Sequence, residues 1–312
     1  MGRMVDLINE VLDSSTKTPF KLGKGRSQVM ELIRVNGKTT TARFNRALNG
    51  LMEDVFGFSF ARFQALGVWD EQYEYFSVMD ESKMVANCGA YHMQMVVDGI
   101  KQEFLQFGAV AVHPAYRGKG LGRLVMEQAL GEYPDVPAFL YANLDAKLFY
   151  TKLGFVPQEE RQPFVTVRPG PRKPGLERLE LIYPEVGEYL ESRGCFSPCL
   201  DCVNQEALNW FHLVYQFQDN LYHVPELGVM LVMEERGSEV FLHDVAAPQK
   251  VSFECLLPYI QGEGVERVTF GFRPDRLDSR WETEPSSDPD SVLMARGWEG
   301  DLGCFIPRLV RT

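Results

Sequence analysis

Three glycines and two cationic side chains stand together in the run Arg117-Gly118-Lys119-Gly120-Leu121-Gly122. Apolar residues recur at helical spacing from Leu121 onward, so the glycines lie at the start of a predicted helix. The first N–H groups of a helix lack intrahelical acceptors and carry the positive end of the helix dipole. A loop without Cβ atoms lets a ligand approach those groups closely. The run therefore predicts a site for an anion such as a pyrophosphate.

The glycine spacing argues against two other phosphate-binding loops. The dinucleotide fingerprint requires G-x-G-x-x-G and an acidic residue at the end of a second parallel strand, and the chain has neither. The Walker A loop requires serine or threonine directly after its lysine, whereas Lys119 is followed by Gly120.

The loop is held between a strand and a helix. An almost continuous apolar run from Phe104 to Val112 is typical of a strand buried on both faces, and Pro114 ends it because proline cannot donate to a strand ladder. The helix after the loop carries Arg123 and Glu127 on its polar side, at a spacing that allows an ion pair. The local order is therefore strand, glycine loop, helix.

This order and its glycines resemble a known family. The run Arg117-x-x-Gly120-x-Gly122, preceded by V-x-V-H-P, is similar to the acetyl-CoA loop of the GNAT acetyltransferase superfamily. Downstream, Tyr141-Ala142-Asn143 and the segment from Ala146 to Phe155 are similar to the second motif of that superfamily. The resemblance covers about residues 70–156. It implies an α+β GNAT fold, in which helices flank a twisted, mixed and mostly antiparallel sheet.

The resemblance also implies acetyl-CoA as acyl donor and a set of residues that bind it. The backbone of the fourth strand of the fold would bond the pantetheine arm and the thioester carbonyl, and the glycine loop would bond the pyrophosphate. Asn143 and Phe149 match positions of the second motif. The implied cofactor-binding residues are Val110, Ala111, Val112, Arg117, Gly118, Lys119, Gly120, Leu121, Gly122, Arg123, Asn143 and Phe149.

Acetyl transfer to an amine requires a deprotonated amine, a polarised carbonyl and a protonated leaving thiolate. Tyr150 matches the family's tyrosine that faces the CoA sulfur, so the resemblance implies that it is the general acid. The alternative is that Tyr150 is a packed aromatic residue beside Phe149. No cysteine lies in the matched motifs, so direct transfer without a covalent intermediate is expected.

The general base is less clear from the sequence. Many relatives carry a glutamate on the strand before the loop, where this chain has Gln106 and Gly108. Glutamine cannot accept a proton, so either the base lies elsewhere or water deprotonates the amine. Candidates elsewhere are Glu74, Asp80 and Glu103. His113, at a strand end before proline, is interpreted as structural.

Composition limits the other classes of function. A length of 312 residues suits two domains, and a net charge of −11 argues against a general nucleic-acid binder. The negative charge either favours a cationic acceptor or only keeps the protein soluble. Asp6 and Glu10 interrupt the apolar part of the N-terminus, so a signal peptide is not expected. No stretch approaches the length of a membrane span, and we expect a cytoplasmic protein with reduced thiols.

Three of the six cysteines form the pattern Cys195-x-x-x-Cys199-x-x-Cys202. This is the spacing of the radical SAM iron–sulfur motif, but too few residues follow it for the barrel of that family. A zinc site with His212 or Cys255 as fourth ligand is a second interpretation, although it lacks the paired spacing of a zinc finger. We favour reduced cysteines around a turn, and no metal is expected.

The chain divides at its clearest linker, Arg168-Pro-Gly-Pro-Arg-Lys-Pro-Gly175, which is too rich in proline and glycine for a helix or a central strand. We expect an N-terminal arm over residues 1–28 with a short helix at Val5–Leu12, a GNAT domain over 29–168, a linker over 169–175 and an α+β domain over 176–312. The elements predicted for the GNAT domain are strands at Gln28–Val35, Tyr75–Met79, Val85–Val97, Glu103–Val112, Ala138–Ala142 and Phe164–Val167, and helices at Thr41–Phe56 and Asp145–Leu153.

The second half echoes the first. The pattern predicts strands at Val229–Glu234 and Glu239–Val245, then a helix at Ser252–Ile260 and a strand at Arg267–Phe272. The segment Ala246–Lys250 lacks the glycines of a phosphate loop, so the C-terminal domain is interpreted as a degenerate GNAT repeat that does not bind CoA. A helix at Gln205–Phe217, a loop at Asp278–Asp290 and closing strands within Val292–Ile306 complete the prediction.

The sequence thus predicts an acetyl-CoA-dependent N-acetyltransferase. Its acceptor is expected to be a small-molecule or peptide amine, with no nucleic acid or membrane as partner, and the sequence is compatible with a homodimer. One alternative is an acyl-CoA-binding sensor without turnover, since the carboxylate is missing at Gln106. The other is a transferase that uses a longer acyl group or an aminoacyl donor.

Overall fold

The structure is a computed structural model that describes residues 16–21, 29–182, 184–278, 280–286, 290–298 and 305–312. The chain folds into two compact units. The first contains the described residues up to His92, together with Leu105–Leu140 and Thr312, and the second contains Met93–Phe104 and Tyr141–Arg311. The units therefore interleave along the chain. A domain boundary at residues 169–175 stays a prediction.

The first unit is built on a sheet whose strands follow chain order. They are β1 (Thr16–Lys21), β2 (Val29–Asn36), β3 (Tyr73–Asp80), β4 (Lys83–Val97), β5 (Ile100–Val112) and β6 (Ala138–Asn143). The strands pair antiparallel from β1 to β4, and β5 pairs with β6 in parallel. The distal parts of β4, β5 and β6 belong to the second unit.

The expected strands of this sheet are confirmed, with β1 as an addition inside the predicted arm. The predicted helix at Val5–Leu12 lies outside the described residues. The sequence predicts hairpin turns at Asp80-Glu81-Ser82 and Asp98-Gly99. Both are confirmed, because Glu81 after β3 and Asp98 after β4 have positive φ values, 56° and 49°, which are typical of tight hairpin turns.

The helices of the first unit are α1 (Ala42–Phe56), α2 (Ala61–Leu66) and α3 (Leu121–Glu132). The Thr41 side chain accepts a hydrogen bond from the backbone N–H of Phe44 and so starts α1, as the sequence predicts. The apolar face of α1 is buried. The sequence pattern does not predict α2, because this helix is short and follows Phe60, which offers no capping side chain. The rings of Phe60, Phe63, Trp69, Tyr73 and Tyr75 pack into one cluster, and all of them except the half-buried Trp69 are buried in the core.

The second unit contains a separate sheet. Its strands are β8 (Arg161–Thr166), β9 (Glu177–Arg178), β11 (Leu221–Val224), β12 (Val229–Arg236), β13 (Glu239–Ala246), β14 (Arg267–Phe270) and β15 (Glu282–Pro285), and a helix, α7, covers Phe253–Ile260. In the described part of the chain the order is β15-β8-β14-β13-β12-β11-β9. The central strands β13 and β14 are parallel and are joined through α7, which confirms the predicted echo of strand, strand, helix, strand.

One predicted strand belongs to a different sheet from the one expected. The sequence predicts Phe164–Val167 as the last strand of the first domain, but β8 pairs with β14 and β15 in the second sheet. The proline- and glycine-rich segment that follows it forms neither helix nor strand. The backbone N–H of Lys173 donates to Pro258 O of α7 at 2.7 Å, so the segment is attached to the second unit.

The remaining elements of the second unit include three helices. The helices are α4 (Lys147–Thr151), α5 (Pro184–Glu191) and α6 (Glu206–Tyr215), and the strands are β7 (Val156–Pro157), β10 (Leu200–Val203) and β16 (Ser291–Arg296). The helix α6 matches its prediction, and α4 is shorter than predicted. The sequence pattern does not predict α5, β7, β9, β10 or β11. The loop predicted at Asp278–Asp290 is wrong in part, because β15 (Glu282–Pro285) lies inside it and pairs with β8. Of the closing strands predicted within Val292–Ile306, β16 confirms the first part, and residues 299–304 lie outside the described residues.

The cysteine segment is organised by an ion pair rather than by its thiols. Arg193 Nε lies 2.8 Å from Asp244 Oδ2, and its guanidinium also contacts Asp201, which accepts the backbone N–H of Phe196. The five cysteines that the structure describes are free thiols, and burial raises the pKa of Cys202. Within the described residues, no group of three or more histidine, cysteine or acidic side chains has an arrangement that could hold a metal ion.

The described helices do not include one that is long and apolar enough to cross a membrane.

Candidate functional site

Strand β5 is irregular just before the glycine loop. Its parallel pairing with β6 covers Leu105–Phe107, and the strand then continues to Val112. Ala109 has φ = 50°, in the left-handed region that non-glycine residues rarely adopt. Such a residue inside a strand turns the backbone groups that follow it away from the regular ladder. The irregularity therefore lies immediately before Val110, Ala111 and Val112, the residues predicted to bind the pantetheine arm.

A buried hydrogen-bond chain holds this irregularity in place. The side-chain amide of Asn87 donates to Ala109 O at 2.9 Å, and the hydroxyl of Ser77 donates to Asn87 Oδ1 at 2.7 Å. Ser77 and Asn87 are both completely buried. A left-handed alanine costs about 1–2 kcal/mol, so it persists only where its surroundings compensate for that cost. The bond from Asn87 to the bulge carbonyl is one such compensation.

The glycine loop follows a short 3₁₀ turn, Pro114–Tyr116. Gly118 and Gly120 have φ values of 75° and 80°, and a Cβ added to either would meet no described atom within 4 Å. Helix α3 begins at Leu121, and none of the described side chains caps its first turn. The amides of Leu121, Gly122 and Arg123 therefore point out of the helix end without intrahelical acceptors. The loop is exposed and has the geometry of an anion cradle.

The charged side chains of the loop have different surroundings. Arg117 Nε donates to Val112 O at 3.3 Å, and Lys119 Nζ lies 4.5 Å from the centre of the Tyr116 ring. Arg123 pairs with Glu127 at 2.7 Å, as the helical spacing predicts. Arg117 and Lys119 are both exposed, so their charges stand beside the open helix end.

Asp80, a candidate for the base, and His113 both support the loop. Asp80 accepts a hydrogen bond from the Tyr116 hydroxyl at 2.5 Å, and this bond raises the pKa of Tyr116. His113 accepts the backbone N–H of Ala115 through Nδ1 at 3.2 Å, and its Nε2 lies 3.3 Å from Asp54 Oδ2. These contacts fix the 3₁₀ turn to the sheet and to α1, which agrees with the structural interpretation of His113.

Glu74 lies in a buried network on β3. Burial alone would raise its pKa, but hydrogen bonds from His92, Tyr133 and Arg34 outweigh that effect and lower it to about 2. The Tyr133 hydroxyl donates to Glu74 Oε2 at 2.5 Å, and Arg34 lies 2.9 Å from Oε1. A carboxylate with so low a pKa is a weak base at neutral pH. Glu103, the third candidate, is exposed in the part of β5 that belongs to the second unit.

The positions where relatives carry a glutamate are in contact with Thr312. Gln106 is completely buried, and its Oε1 accepts the backbone N–H of Thr312 at 2.7 Å. A Cβ added to Gly108 would overlap Thr312 Oγ1, so a larger residue there would require Thr312 to shift. Sequence reasoning does not identify Thr312 as a site residue, because no local pattern shows that a residue this far along the chain lies on β5.

The predicted catalytic residue belongs to the second unit. Tyr150 lies in α4, with its side chain 8% exposed and its ring 5.0 Å from that of Phe149. Its carbonyl accepts the backbone N–H of Phe155 at 3.1 Å, across the turn at Gly154, where φ is 88°. Asn143 is exposed and precedes the 3₁₀ turn Leu144–Ala146. Phe149 and Tyr150 are thus adjacent, whereas the residues from Val110 to Arg123 gather in the first unit.

Comparisons with known proteins agree with this geometry. A family model described as an acetyltransferase (GNAT) domain matches residues 71–157, which include the irregular strand, the loop and Tyr150. The resemblance drawn from the sequence motifs and the predicted α+β fold class are thereby confirmed. No curated protein matches the chain.

Solved structures show the same fold at low sequence identity. A probable N-acyltransferase from Enterococcus faecalis V583 has 13% identity and a TM-score of 0.53, over 86% of this chain and 72% of that chain. A GCN5-related N-acetyltransferase from Kribbella flavida has 16% identity and a TM-score of 0.51, over 85% of this chain and 71% of that chain. At these identities the likeness concerns the fold alone.

Replacing Asn87 tests whether the irregularity in β5 depends on its hydrogen bond. Asn87→Ala leaves the Ala109 carbonyl and the Ser77 hydroxyl without their partner, and we expect a loss of about 1–3 kcal/mol in the free energy of unfolding. Ser77→Ala removes only the outer bond and should cost less. Urea unfolding of both variants measures the difference. Equal losses in the free energy of unfolding would show that the bond to Ala109 contributes no more to stability than the bond from Ser77.

The low pKa of Glu74 predicts how stability depends on pH. Because the pKa is about 2 in the folded protein and near 4.5 when unfolded, the carboxylate contributes its full stabilisation above pH 4.5 and loses it as the pH falls toward 2. Glu74→Gln should therefore lower the thermal midpoint at pH 7 and reduce its difference from the wild type at pH 3. A constant difference between pH 7 and pH 3 would contradict the assignment.

Proposed function

Because residues 71–157 form a GNAT acetyltransferase domain, we propose that this protein is an N-acyltransferase that transfers an acetyl group from acetyl-CoA to an amine. One observation carries the proposal. The irregular end of β5 and the open N-terminus of α3 follow each other within residues 108–123, so a single stretch of backbone presents polar groups to a long ligand. A nucleotide with a pyrophosphate and an amide-containing arm matches such a stretch.

The residues fit coenzyme A. The space beside Gly118 and Gly120 admits a phosphate, the amides from Leu121 to Arg123 are oriented toward it, and Arg117 and Lys119 add positive charge. Val110, Ala111 and Val112 would bond the arm through their backbone. Asn143 and Phe149 complete the proposed set by their match to the family motif. The cofactor, when bound, supplies the acyl group as a thioester.

In the proposed reaction the amine nitrogen forms a bond with the carbonyl carbon while the carbon–sulfur bond breaks. The hydroxyl of Tyr150 donates a proton to the departing sulfur and afterwards recovers one from water. The proton of the amine passes to solvent, because the carboxamide of Gln106 cannot take it and Glu74 and Asp80 are engaged in other contacts. Backbone N–H groups near the bulge polarise the carbonyl.

The second candidate function is an acyl-CoA-binding module without turnover. It is favoured by Gln106, whose amide oxygen already accepts the N–H of Thr312 at 2.7 Å. Both functions require the glycine loop, but only the enzyme releases free CoA in the presence of an amine. A comparison of acetyl-CoA with longer acyl-CoA donors separates the acetyltransferase from a transferase of another acyl group.

Replacing Gly120 tests the loop. In Gly120→Glu the new carboxylate stands at the end of α3 and needs a positive φ, so we expect acetyl-CoA affinity to fall at least a hundredfold in calorimetric titration. The matched control is Gly131→Glu, which adds the same charge near the other end of the same helix, about 16 Å away, at an exposed position where a Cβ meets no described atom.

The control should bind acetyl-CoA with nearly wild-type affinity. If both variants lose binding equally, net charge and not the cradle is responsible. If the wild type binds neither acetyl-CoA nor a longer acyl-CoA, the proposed function is wrong.

Replacing Tyr150 tests the general acid. Tyr150→Phe keeps the ring that contacts Phe149 and Phe155 and removes only the hydroxyl. We expect kcat to fall about 10²-fold or more, within the usual contribution of a proton-transfer group, while the Kd for acetyl-CoA stays within twofold. Steady-state kinetics and calorimetry measure both quantities. An unchanged kcat would leave Tyr150 as a packed aromatic residue.

A further inference from the structure

Thr312 lies on the strand that carries the irregular backbone, and three observations distinguish it. Its backbone N–H donates to the buried Oε1 of Gln106 at 2.7 Å. Its Oγ1 occupies the space that the Cβ of any residue other than glycine would need at position 108. The same Oγ1 is buried and has no hydrogen-bond partner among the described residues. Gln106 and Gly108 thus form a seat for Thr312.

The unpartnered hydroxyl is unusual on energetic grounds. A hydroxyl that is removed from water without a partner costs free energy, and most buried polar groups therefore find one. The cost is reasonable if a ligand supplies the partner. The hydroxyl stands above Gly108, directly before Ala109 and the backbone proposed to hold the thioester.

The residue before Thr312 is also fixed. Within the second unit, Arg311 O accepts His212 Nε2–H at 2.5 Å, and the Arg311 guanidinium contacts Glu160 at 3.0 Å. The same guanidinium donates to Ile306 O at 2.7 Å. A residue whose neighbour is held through both backbone and side chain has a restrained backbone, whereas its own side chain can still rotate. This degree of fixation suits a group that must orient a reactant.

We propose that the side-chain hydroxyl of Thr312 positions the acceptor amine for attack. The inference rests on the proposed function and deepens it. When the amine binds, the Thr312 side chain rotates and exposes its hydroxyl oxygen, which accepts a hydrogen bond from one N–H of the neutral amine. The nitrogen lone pair then faces the carbonyl carbon above the bulge. Thr312 gains no proton, since the proton of the amine passes to water. Gln106 and Gly108 are then positioning residues for Thr312.

This role explains why the strand lacks a glutamate. A carboxylate at position 106 could also accept the N–H of Thr312, but it would be a fully buried charge, which is costly without a cationic partner. The carboxamide of Gln106 makes the same hydrogen bond without charge. Any larger residue at position 108 would displace Thr312 Oγ1. Gln106 and Gly108, the two positions where the chain departs from the family pattern, therefore both support the contact with Thr312.

The test uses the full chain and two matched variants, Thr312→Val and Thr312→Ser. Valine keeps the shape and removes the hydroxyl, whereas serine keeps the hydroxyl. A panel of primary amines and a lysine-containing peptide is screened with acetyl-CoA, and the fastest acceptor is used. We expect kcat/KM for that amine to fall at least tenfold in Thr312→Val and to stay within threefold in Thr312→Ser, with the Kd for acetyl-CoA unchanged in both.

Stability separates positioning from packing. Because Thr312→Val removes a buried group without a partner, its thermal midpoint should equal or exceed that of the wild type. Gly108→Ala should reproduce the loss of kcat/KM, and Gly131→Ala, at an open position on α3, should have no effect on transfer.

Several results would overturn the inference. They are unchanged kcat/KM in Thr312→Val, a parallel loss of activity and thermal midpoint, failure of serine to retain activity, or acetyl-CoA binding without transfer to any amine. Failure of the wild type to bind acetyl-CoA would instead reject the proposed function. The two failures are therefore distinguishable.

Discussion

The hydrogen bond from Asn87 to the carbonyl of Ala109 is the contact on which the geometry of the candidate site depends. It stabilises a left-handed residue inside a strand that is otherwise regular, and it does so from a fully buried position on the neighbouring strand. The backbone after Ala109 then leads into the 3₁₀ turn and the glycine loop. A regular strand would keep its N–H and C=O groups in a ladder, where a ligand could not use them.

Three acidic residues of the first unit hold elements of the scaffold together. Asp80 holds Tyr116 below the loop, Asp54 contacts His113, and Glu74 joins Arg34 and Tyr133. Each of the three carboxylates lies within hydrogen-bond or ion-pair distance of its partner. The positive charges of Arg117 and Lys119 stay exposed beside the helix end. A protein with a net charge of −11 therefore still presents local positive charge at this loop.

The second unit shows what happens to the same order of elements without a glycine loop. Its strands β13 and β14 pair in parallel, and the last paired residues are Leu242 and Phe270. The backbone N–H of Gly271, the next residue, donates to Leu242 O. Arg308 N donates to Gly271 O at 2.7 Å, and the side chains of Phe305, Ile306 and Leu309 are buried. The segment from Phe305 to Leu309 thus lies at the end of this strand pair. That the C-terminal domain does not bind CoA stays a prediction from the missing glycines in Ala246–Lys250.

Local patterns of sequence determined most of the elements and the position of the glycine loop before α3. Glycine spacing, the helical period after Leu121 and the turn at Asp98-Gly99 act between residues that are close in the chain, so they can be recognised without a structure. The tertiary structure alone decided that β8 belongs to the second sheet, that Ala109 is left-handed and that Glu74 is engaged by Arg34 and Tyr133. It also placed Thr312 against Gln106 and Gly108. From the sequence alone, these two positions showed only that the glutamate of many relatives is missing. Each of these features depends on contacts between residues far apart in the chain, and a local pattern carries no information about which distant residue fills a given space.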